Sequence, residues 1–228
     1  MQQAWLNPSS ITLPKARVSS ANKINTIALS AIHSRREEVE SFIAEGFYRS
    51  YKAQVTSFAP ILLAAQSQQI HAALGIRNAQ SGFFVSQYFE QPLEQVLAQR
   101  NLQSAELKLA EIGNLYSTSQ RFSIPLMISA ALALVMNDYT HLIFTGTPKV
   151  NDILTSYGVE LTALAQAQQA KVEQGKDDWG SYYSAYPIVM LANLNDVIAA
   201  IMARPALSAL FDSLDGELTS VHQQLRCL

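Results

Sequence analysis

The sequence of 228 residues has one cysteine, few charged residues and no apolar run long enough to span a membrane. A lone cysteine, Cys227, excludes an intrachain disulfide and favours a reducing compartment, so we expect a cytoplasmic protein. The longest apolar run covers 124–136, well short of the ~20 residues that a membrane-spanning helix needs. The opening MQQAWLNPSS breaks any apolar stretch with polar residues and proline, which predicts no signal peptide.

Charge is also scarce, at 15% of residues with a formal net charge of -2 and a pI near 6.1. Such a balance gives no positive field to gather nucleic acid, so we expect no nucleic-acid partner. The hydrophobic share of 49% is ample for a globular core. No internal repeat or long linker divides the chain. We therefore predict one domain over 1–205, with a helical extension of the same domain over 206–228.

Several common catalytic and binding motifs are absent from the sequence. It contains no G-x-S-x-G elbow, no P-loop, no H-E-x-x-H pair and no G-x-G-x-x-G turn. The histidines are scattered without the spacing of metal ligands. We therefore expect no metal site. The histidines are His33, His71, His141 and His222.

Seven segments carry the apolar, β-branched or alternating pattern that is typical of strands. The second and third are separated by only three polar residues, which predicts an antiparallel hairpin. The predicted strands cover 24–32, 58–66, 70–79, 105–116, 141–145, 159–167 and 186–194.

Helix signals separate several of these strands. Thr147 and Pro148 begin a helix that Gly158 is placed to end. The other predicted starts are a capping box of Ser34 and Glu37, a position near Gln91 ahead of Pro92, Ser123 ahead of Pro125, and a cap at Asn195.

The order of these elements indicates the topology. The segment 105–145 has the length of a βαβ crossover, so its two strands should run parallel within a mostly antiparallel sheet. We therefore predict an α/β (α+β) fold with a mixed central sheet flanked by helices and a C-terminal helical tail.

The junction between the predicted strand and the apolar helix at 109–137 contains a cluster of hydroxyls and one arginine. Ser117, Thr118, Ser119 and Arg121 precede a helix, whose first turn offers free amides and the positive end of its dipole. This combination suits a phosphate group. An ordinary serine-rich helix start has the same composition, so the pattern alone leaves both readings open.

Two further groups have alternative roles. Glu111 lies in the strand that enters this junction, where it could accept a proton from an attacking amine or serve as an ordinary edge or salt-bridged glutamate. Trp179, Tyr182, Tyr183 and Tyr186 could line a substrate pocket or fill the core.

Several segments, taken in order, resemble the thermostable hemolysin family. They are EIGNLYS, FTGTPKVNDILTSYGVEL and WGSYYSAYPIVM, supported by RREEVESFIAEGFYRSY and YFEQPLE. That family in turn resembles GNAT-type acyltransferases and, more distantly, the acyl-homoserine lactone synthases. The resemblance implies a GNAT-like fold and transfer of an acyl group from an acyl thioester to an amine.

The resemblance also implies a role for each candidate residue. Glu111 would act as the general base or amine anchor. The donor would be acyl-CoA or the phosphopantetheine of an acyl-carrier protein, used as a co-substrate with no permanently bound cofactor. Its binding residues would be Asn114, Leu115, Ser117, Thr118, Ser119 and Arg121. The substrate-binding residues would be Tyr88, Trp179, Tyr182 and Tyr183.

Departures from the GNAT pattern leave other functions open. The glycine-rich phosphate loop of many acetyltransferases is absent, because STSQRF contains no glycine. The expected function is an N-acyltransferase acting on an amine such as an amino acid or its derivative. The alternatives are a hemolysin that acts directly on membranes and a non-catalytic ligand-binding protein of the same fold.

Overall fold

The computed structural model describes residues 24–102, 107–172 and 178–226, with 211–220 described by its backbone alone. All seven predicted strands form. They are β1 Asn25–Leu29, β2 Ile61–Gln66, β3 Ile70–Asn78, β4 Leu109–Ser117, β5 His141–Gly146, β6 Thr162–Gln166 and β7 Ile188–Asn193. The helices are α1 Arg36–Tyr51, α2 Leu93–Ala98, α3 Gln120–Met136, α4 Pro148–Ser156, α5 Leu194–Met202 and α6 Pro205–Leu225, with short 3-10 turns at Phe84–Tyr88, Gln169–Lys171 and Tyr182–Ala185.

The strands form one sheet in the order β1-β2-β3-β4-β5-β7-β6. The pair β4–β5 is parallel and the other neighbouring pairs are antiparallel. The parallel pair is joined through α3, as the βαβ pattern of 105–145 predicts. The predicted fold class is confirmed.

Helix α3 is buried on two sides, which explains why its sequence is apolar nearly all round. Leu126, Ala130 and Leu134 belong to the core cluster that covers one face of the sheet. On the other side of the helix, Ile128 and Leu132 pack with Ile201 of α5. Helix α3 is therefore the central helix on this face of the sheet, with α5 and α6 packed against it.

The opposite face of the sheet is covered by two groups of residues. Val39, Ile43 and Phe47 of α1 pack in a core cluster with strands β1, β2 and β3. The 3-10 turn Phe84–Tyr88 and α2 pack in a third cluster with β4, β5 and β7. The two groups share Phe84 and Tyr183 at their border.

Three predicted helix starts are wrong. Helix α1 is preceded by Arg35, whose side chain pairs with Glu38, and no side chain caps its amides. Asn195 is the predicted cap of α5, but its backbone amide donates to Oδ1 of Asn193, so Asn193 is the N-cap. Both helices thus begin within two residues of the predicted position, but with a different residue at the N-cap.

Helix α3 begins at Gln120 rather than at Ser123, so Pro125 lies inside it. The backbone of Ser119 is extended, and the helix follows at once. Proline this early in a helix removes one backbone hydrogen bond, to the carbonyl four residues before it. Arg121 consequently lies in the first helical turn rather than in a loop.

Strand β4 contains a bulge. The register with β3 shifts between Ala73, opposite Tyr116, and Gly75, opposite Gly113. Asn114, in this shift, has a left-handed backbone with φ of 50°. Its side chain accepts a hydrogen bond from the Ala59 amide at 3.1 Å and donates one to the Ser57 carbonyl at 3.2 Å. The bulge is thus tied to the segment that leads into β2.

The predicted helical tail is confirmed as α6. Val221 and Leu225 near its end are buried in the core cluster that contains α3. Part of the predicted domain, 1–23 and the short stretches 103–106 and 173–177, lies outside the described residues. The boundary at 205 stays a prediction.

Replacement of Asn114 should separate backbone strain from side-chain bonding. Asn114→Ala loses both hydrogen bonds and strains the left-handed backbone, so we expect it to lower the free energy of unfolding by roughly 2–3 kcal/mol. Asn114→Gly loses the same bonds without the strain and should be about 1 kcal/mol less destabilising. Urea unfolding of both variants measures the difference. Equal losses would mean that the left-handed conformation carries no strain.

Candidate active site

The central parallel strands separate part of the way along their length. Their pairing runs from Leu109 with His141 to Ile112 with Phe144. Beyond that point β4 pairs only with β3, and β5 pairs only with β7. The backbones therefore diverge at their C-terminal ends, and a cleft opens between them.

The cleft holds about 940 Å³ of atom-free space, its open mouth included. Gly113 leaves part of it unfilled, because no atom lies within 4 Å of where a Cβ at this position would be. Its lining is mainly aromatic and apolar, with one acidic and one basic side chain. The charged residues are Glu111 and Arg77, and the aromatic ones are Phe47, Tyr51, Phe84, Tyr88, Phe144, Trp179 and Tyr182.

Glu111 is a buried carboxyl at the edge of this cleft, with 3% of its surface exposed. Its Oε2 accepts a hydrogen bond of 2.6 Å from the Phe84 amide. Burial raises the pKa of Glu111 to about 7, while the Phe84 amide and the charge of Arg77 act in the opposite direction. Glu111 can therefore exchange a proton near neutral pH.

Trp179 is held against the cleft by a tight connection to the end of α1. The amide of Ser181 donates to the Tyr51 carbonyl at 2.8 Å, and Gln54 pairs with Asp178. Gly180 between them has φ of 49°, and a Cβ there would overlap the backbone of Tyr51 and Lys52. Glycine is required because the two chain segments approach so closely.

The four predicted substrate-binding aromatics lie together. All of them pack in the core, and three of them also face the cleft. Tyr88, Trp179 and Tyr182 line the cleft. Tyr183 supports it from behind, with its hydroxyl 2.5 Å from that of Tyr88. Burial, followed by the neighbouring Tyr183, raises the pKa of Tyr88, so this phenol keeps its proton. Their role in substrate binding stays a prediction.

Tyr186 differs from the other three, because 68% of its surface is exposed. It ends the 3-10 turn in a left-handed conformation, directly before β7. Tyr186 therefore neither fills the core nor lines the cleft.

The hydroxyl cluster after β4 does not line the cleft but continues from it to the start of α3. The Ser117 hydroxyl donates to the Ser119 carbonyl at 2.7 Å, and the Thr118 hydroxyl donates to the His71 carbonyl at 3.1 Å. These two protons are thus used within the chain. The exposed guanidinium of Arg121 lies over the Phe122 ring, at 5.7 Å from its centroid.

Asn114 and Leu115 line the cleft just before this cluster. The amide group of Asn114 is held in place by its hydrogen bonds with Ser57 and Ala59. Leu115 also packs against the core cluster on the α3 side.

Sequence patterns do not identify three other features of the cleft. Arg77 stands directly opposite Glu111 in the β3–β4 register. Two buried polar atoms of cleft residues, Thr145 Oγ1 and Trp179 Nε1, have no hydrogen-bond partner in the described part of the chain. Only the register between the strands brings Arg77 opposite Glu111, and that register is not visible in the sequence.

Within residues 24–102, 107–172 and 178–226, no three acidic, histidine or cysteine side chains lie together as metal ligands would. In the same described residues, no helix is both long and apolar enough to cross a membrane.

The mixed sheet with its single parallel pair and the cleft beside it define a GNAT-like fold. The family model described as thermostable hemolysin matches residues 29–198. The chain belongs to this family. No curated protein matches it in sequence.

Solved structures share the fold at low sequence identity. BjaI, a CoA-dependent acyl-homoserine lactone synthase solved with SAM and isopentyl-CoA, is 14% identical, with a TM-score of 0.54 over 85% of this chain and 90% of that one. FeeM, an N-acyl amino acid synthase from uncultured soil microbes, is 11% identical, with a TM-score of 0.55 over 79% and 97%. TofI in an apo form is 12% identical, with a TM-score of 0.54 over 80% and 98%. These likenesses establish the fold.

The buried carboxyl should make stability depend on pH. The folded state binds the Glu111 proton more tightly than the unfolded chain, so ionising this group as pH rises from about 4.5 to about 7 lowers the free energy of unfolding. Glu111→Gln removes that penalty. We expect the variant to match the parent below about pH 4 and to exceed its stability by up to roughly 3 kcal/mol at pH 8.

Urea unfolding at several pH values measures this difference. Glu160→Gln, which removes an exposed carboxyl, is the matched control and should give a difference near zero at every pH. A stability difference for Glu111→Gln that stays constant between pH 5 and pH 8 would contradict the raised pKa.

Proposed function

We propose that the protein is an N-acyltransferase that moves an acyl group from an acyl thioester to an amine. The observation that carries the proposal is a buried glutamate with a pKa near 7 in a cleft between the diverging strands β4 and β5. The fold shared with BjaI and FeeM supports it, because those proteins are acyl-homoserine lactone and N-acyl amino acid synthases.

In the proposed reaction the amine nitrogen attacks the thioester carbonyl directly. The new C–N bond forms, the C–S bond breaks, and the amine proton passes to the carboxylate of Glu111. The sulfur leaves as a thiolate and takes up a proton. A base with a pKa close to the working pH suits this transfer, because it is partly ionised and still accepts the proton readily.

The donor would lie along β4 with its phosphates at the start of α3. The first-turn amides of a helix lack intrahelical partners and attract anions. Because the Ser117 and Thr118 hydroxyls donate within the chain, Arg121 is the side chain best placed to bind phosphate. Either acyl-CoA or an acyl-carrier protein would present such phosphates. We place this reaction in the cytoplasm.

The remaining surface of the cleft suits the acyl chain or an apolar acceptor. Trp179 lies 5.7 Å from Phe84 and 5.5 Å from Tyr182, measured between ring centroids. Packed rings of this kind present a rigid apolar wall that loses little conformational entropy on binding. They also exclude water from the reacting thioester, which disfavours hydrolysis.

Acyl transfer should depend on Glu111. Purified protein incubated with acyl-CoA and pooled amino acids should release free thiol, and Glu111→Gln should lower kcat by roughly 10²- to 10⁴-fold. In the parent, kcat should rise with pH through about 7 as Glu111 ionises. Thiol release followed with a thiol-reactive dye measures both effects.

One control variant and two further measurements, thioester binding and liposome leakage, decide between the possible functions. Glu160→Gln is the control and should keep full activity. Thioester binding without thiol release would favour a non-catalytic binding protein. Leakage of liposomes by the protein alone, equal for the parent and for Glu111→Gln, would favour direct action on membranes and contradict the proposal.

Phosphate binding at α3 should depend on Arg121. Arg121→Met should raise the KM for acyl-CoA roughly tenfold, the loss expected for one charge-assisted hydrogen bond. The KM for an acyl-N-acetylcysteamine, which carries the same thioester without phosphates, should not change. Steady-state kinetics with both donors tests this. An equal rise for both donors would place the phosphates elsewhere.

A further inference from the structure

The second charged residue of the cleft, Arg77, has no hydrogen-bond or ion-pair partner in the part of the chain that the structure describes. Arg77 stands opposite Glu111 in the β3–β4 register, on the same face of the sheet. Among the described residues its guanidinium forms no ion pair or hydrogen bond, although its charge acts on Glu111. A partly buried arginine with unused donors is suited to bind an anionic group of a ligand.

Arg77 is too far from the start of α3 to share the phosphates proposed to bind there. Ser117, just before that helix, pairs with Ala72 of β3. Five residues along an extended strand separate Ala72 from Arg77, a distance of roughly 17 Å. The anion bound by Arg77 would therefore be a different one.

Two other donors in the cleft also lack acceptors. Trp179 Nε1 is buried without a hydrogen-bond partner, and an indole N–H can only donate. Thr145 Oγ1 is likewise buried and has no hydrogen-bond partner among the described residues. An unpaired buried donor is costly, and a ligand that carries acceptor oxygens would remove the cost.

We propose that the acceptor is a free α-amino acid, whose carboxylate is bound by Arg77 while its amine faces Glu111. This inference rests on the proposed acyl transfer and names its acceptor class. The cleft presents one basic and one acidic side chain side by side, which matches the two charged groups of an amino acid. Arg77 is then a specificity-determining residue.

The test compares amino acids with amines that lack only the carboxylate, such as phenylalanine with 2-phenylethylamine, at saturating acyl-CoA. The parent should prefer the amino acid. Arg77→Met should lower kcat/KM for the amino acid by roughly 10- to 100-fold more than for the amine, whose smaller change reflects only the loss of the Arg77 charge beside Glu111. Arg77→Lys, which keeps the charge but not the planar fork, should retain part of the preference.

Arg49→Met is the matched control, because Arg49 is an exposed arginine of α1 that does not line the cleft. It should leave both values unchanged. An equal loss for the amino acid and the amine in Arg77→Met would assign Arg77 to the fold or to Glu111, and a raised KM for acyl-CoA would assign it to the donor. Either result would overturn the inference.

A binding measurement separates this inference from the proposed function. Without any donor, amino acids that bind should raise the melting temperature of the parent but not of Arg77→Met, while the matched amines should raise neither. If thiol release fails for every acceptor but this shift is seen, acyl transfer is wrong and the amino-acid site stands. If the amines are acylated as well as the amino acids, acyl transfer stands and the amino-acid site is wrong.

Discussion

The divergence of β4 from β5 after Ile112 and Phe144 is the constraint on which the rest of the site depends. Two parallel strands that stayed paired would fill the sheet and leave no space for a ligand. The bulge at Asn114 accompanies the divergence, and the contacts of its side chain with Ser57 and Ala59 hold the bulge in place. The cleft is therefore part of the sheet itself rather than a gap between loops.

Glu111 lowers the stability of the fold when it is ionised, but it provides a titratable carboxyl in the cleft. Its side chain is buried beside aromatic rings, and this burial raises the pKa because it disfavours the charged carboxylate. The hydrogen bond from the Phe84 amide reduces the cost but does not remove it. If the residue at this position served the fold alone, glutamine or an apolar side chain would give a higher free energy of unfolding at pH values where Glu111 is ionised. The retained carboxyl is what the proposed chemistry uses.

The fold could be read from the sequence because its strands have clear periodicity and the 105–145 crossover has one favoured hand. Helix starts were less readable, as Ser34 and Asn195 show, because tertiary contacts decide which of several polar residues ends a turn. Glu111 and Trp179 could be identified from local pattern. Arg77 could not, because only the register between β3 and β4 brings it opposite Glu111. The bond that occupies the Thr118 hydroxyl likewise depends on a contact with His71 of β3.

The central claim is that Glu111 holds its proton up to neutral pH within the cleft. Infrared difference spectroscopy of the carboxyl C=O stretch, taken between the parent and Glu111→Gln across a pH series, measures that proton directly. We expect a protonated carboxyl band, specific to Glu111, that is lost with a midpoint near pH 7. Loss of that band with a midpoint near 4.5, the ordinary value for a glutamate, would contradict it.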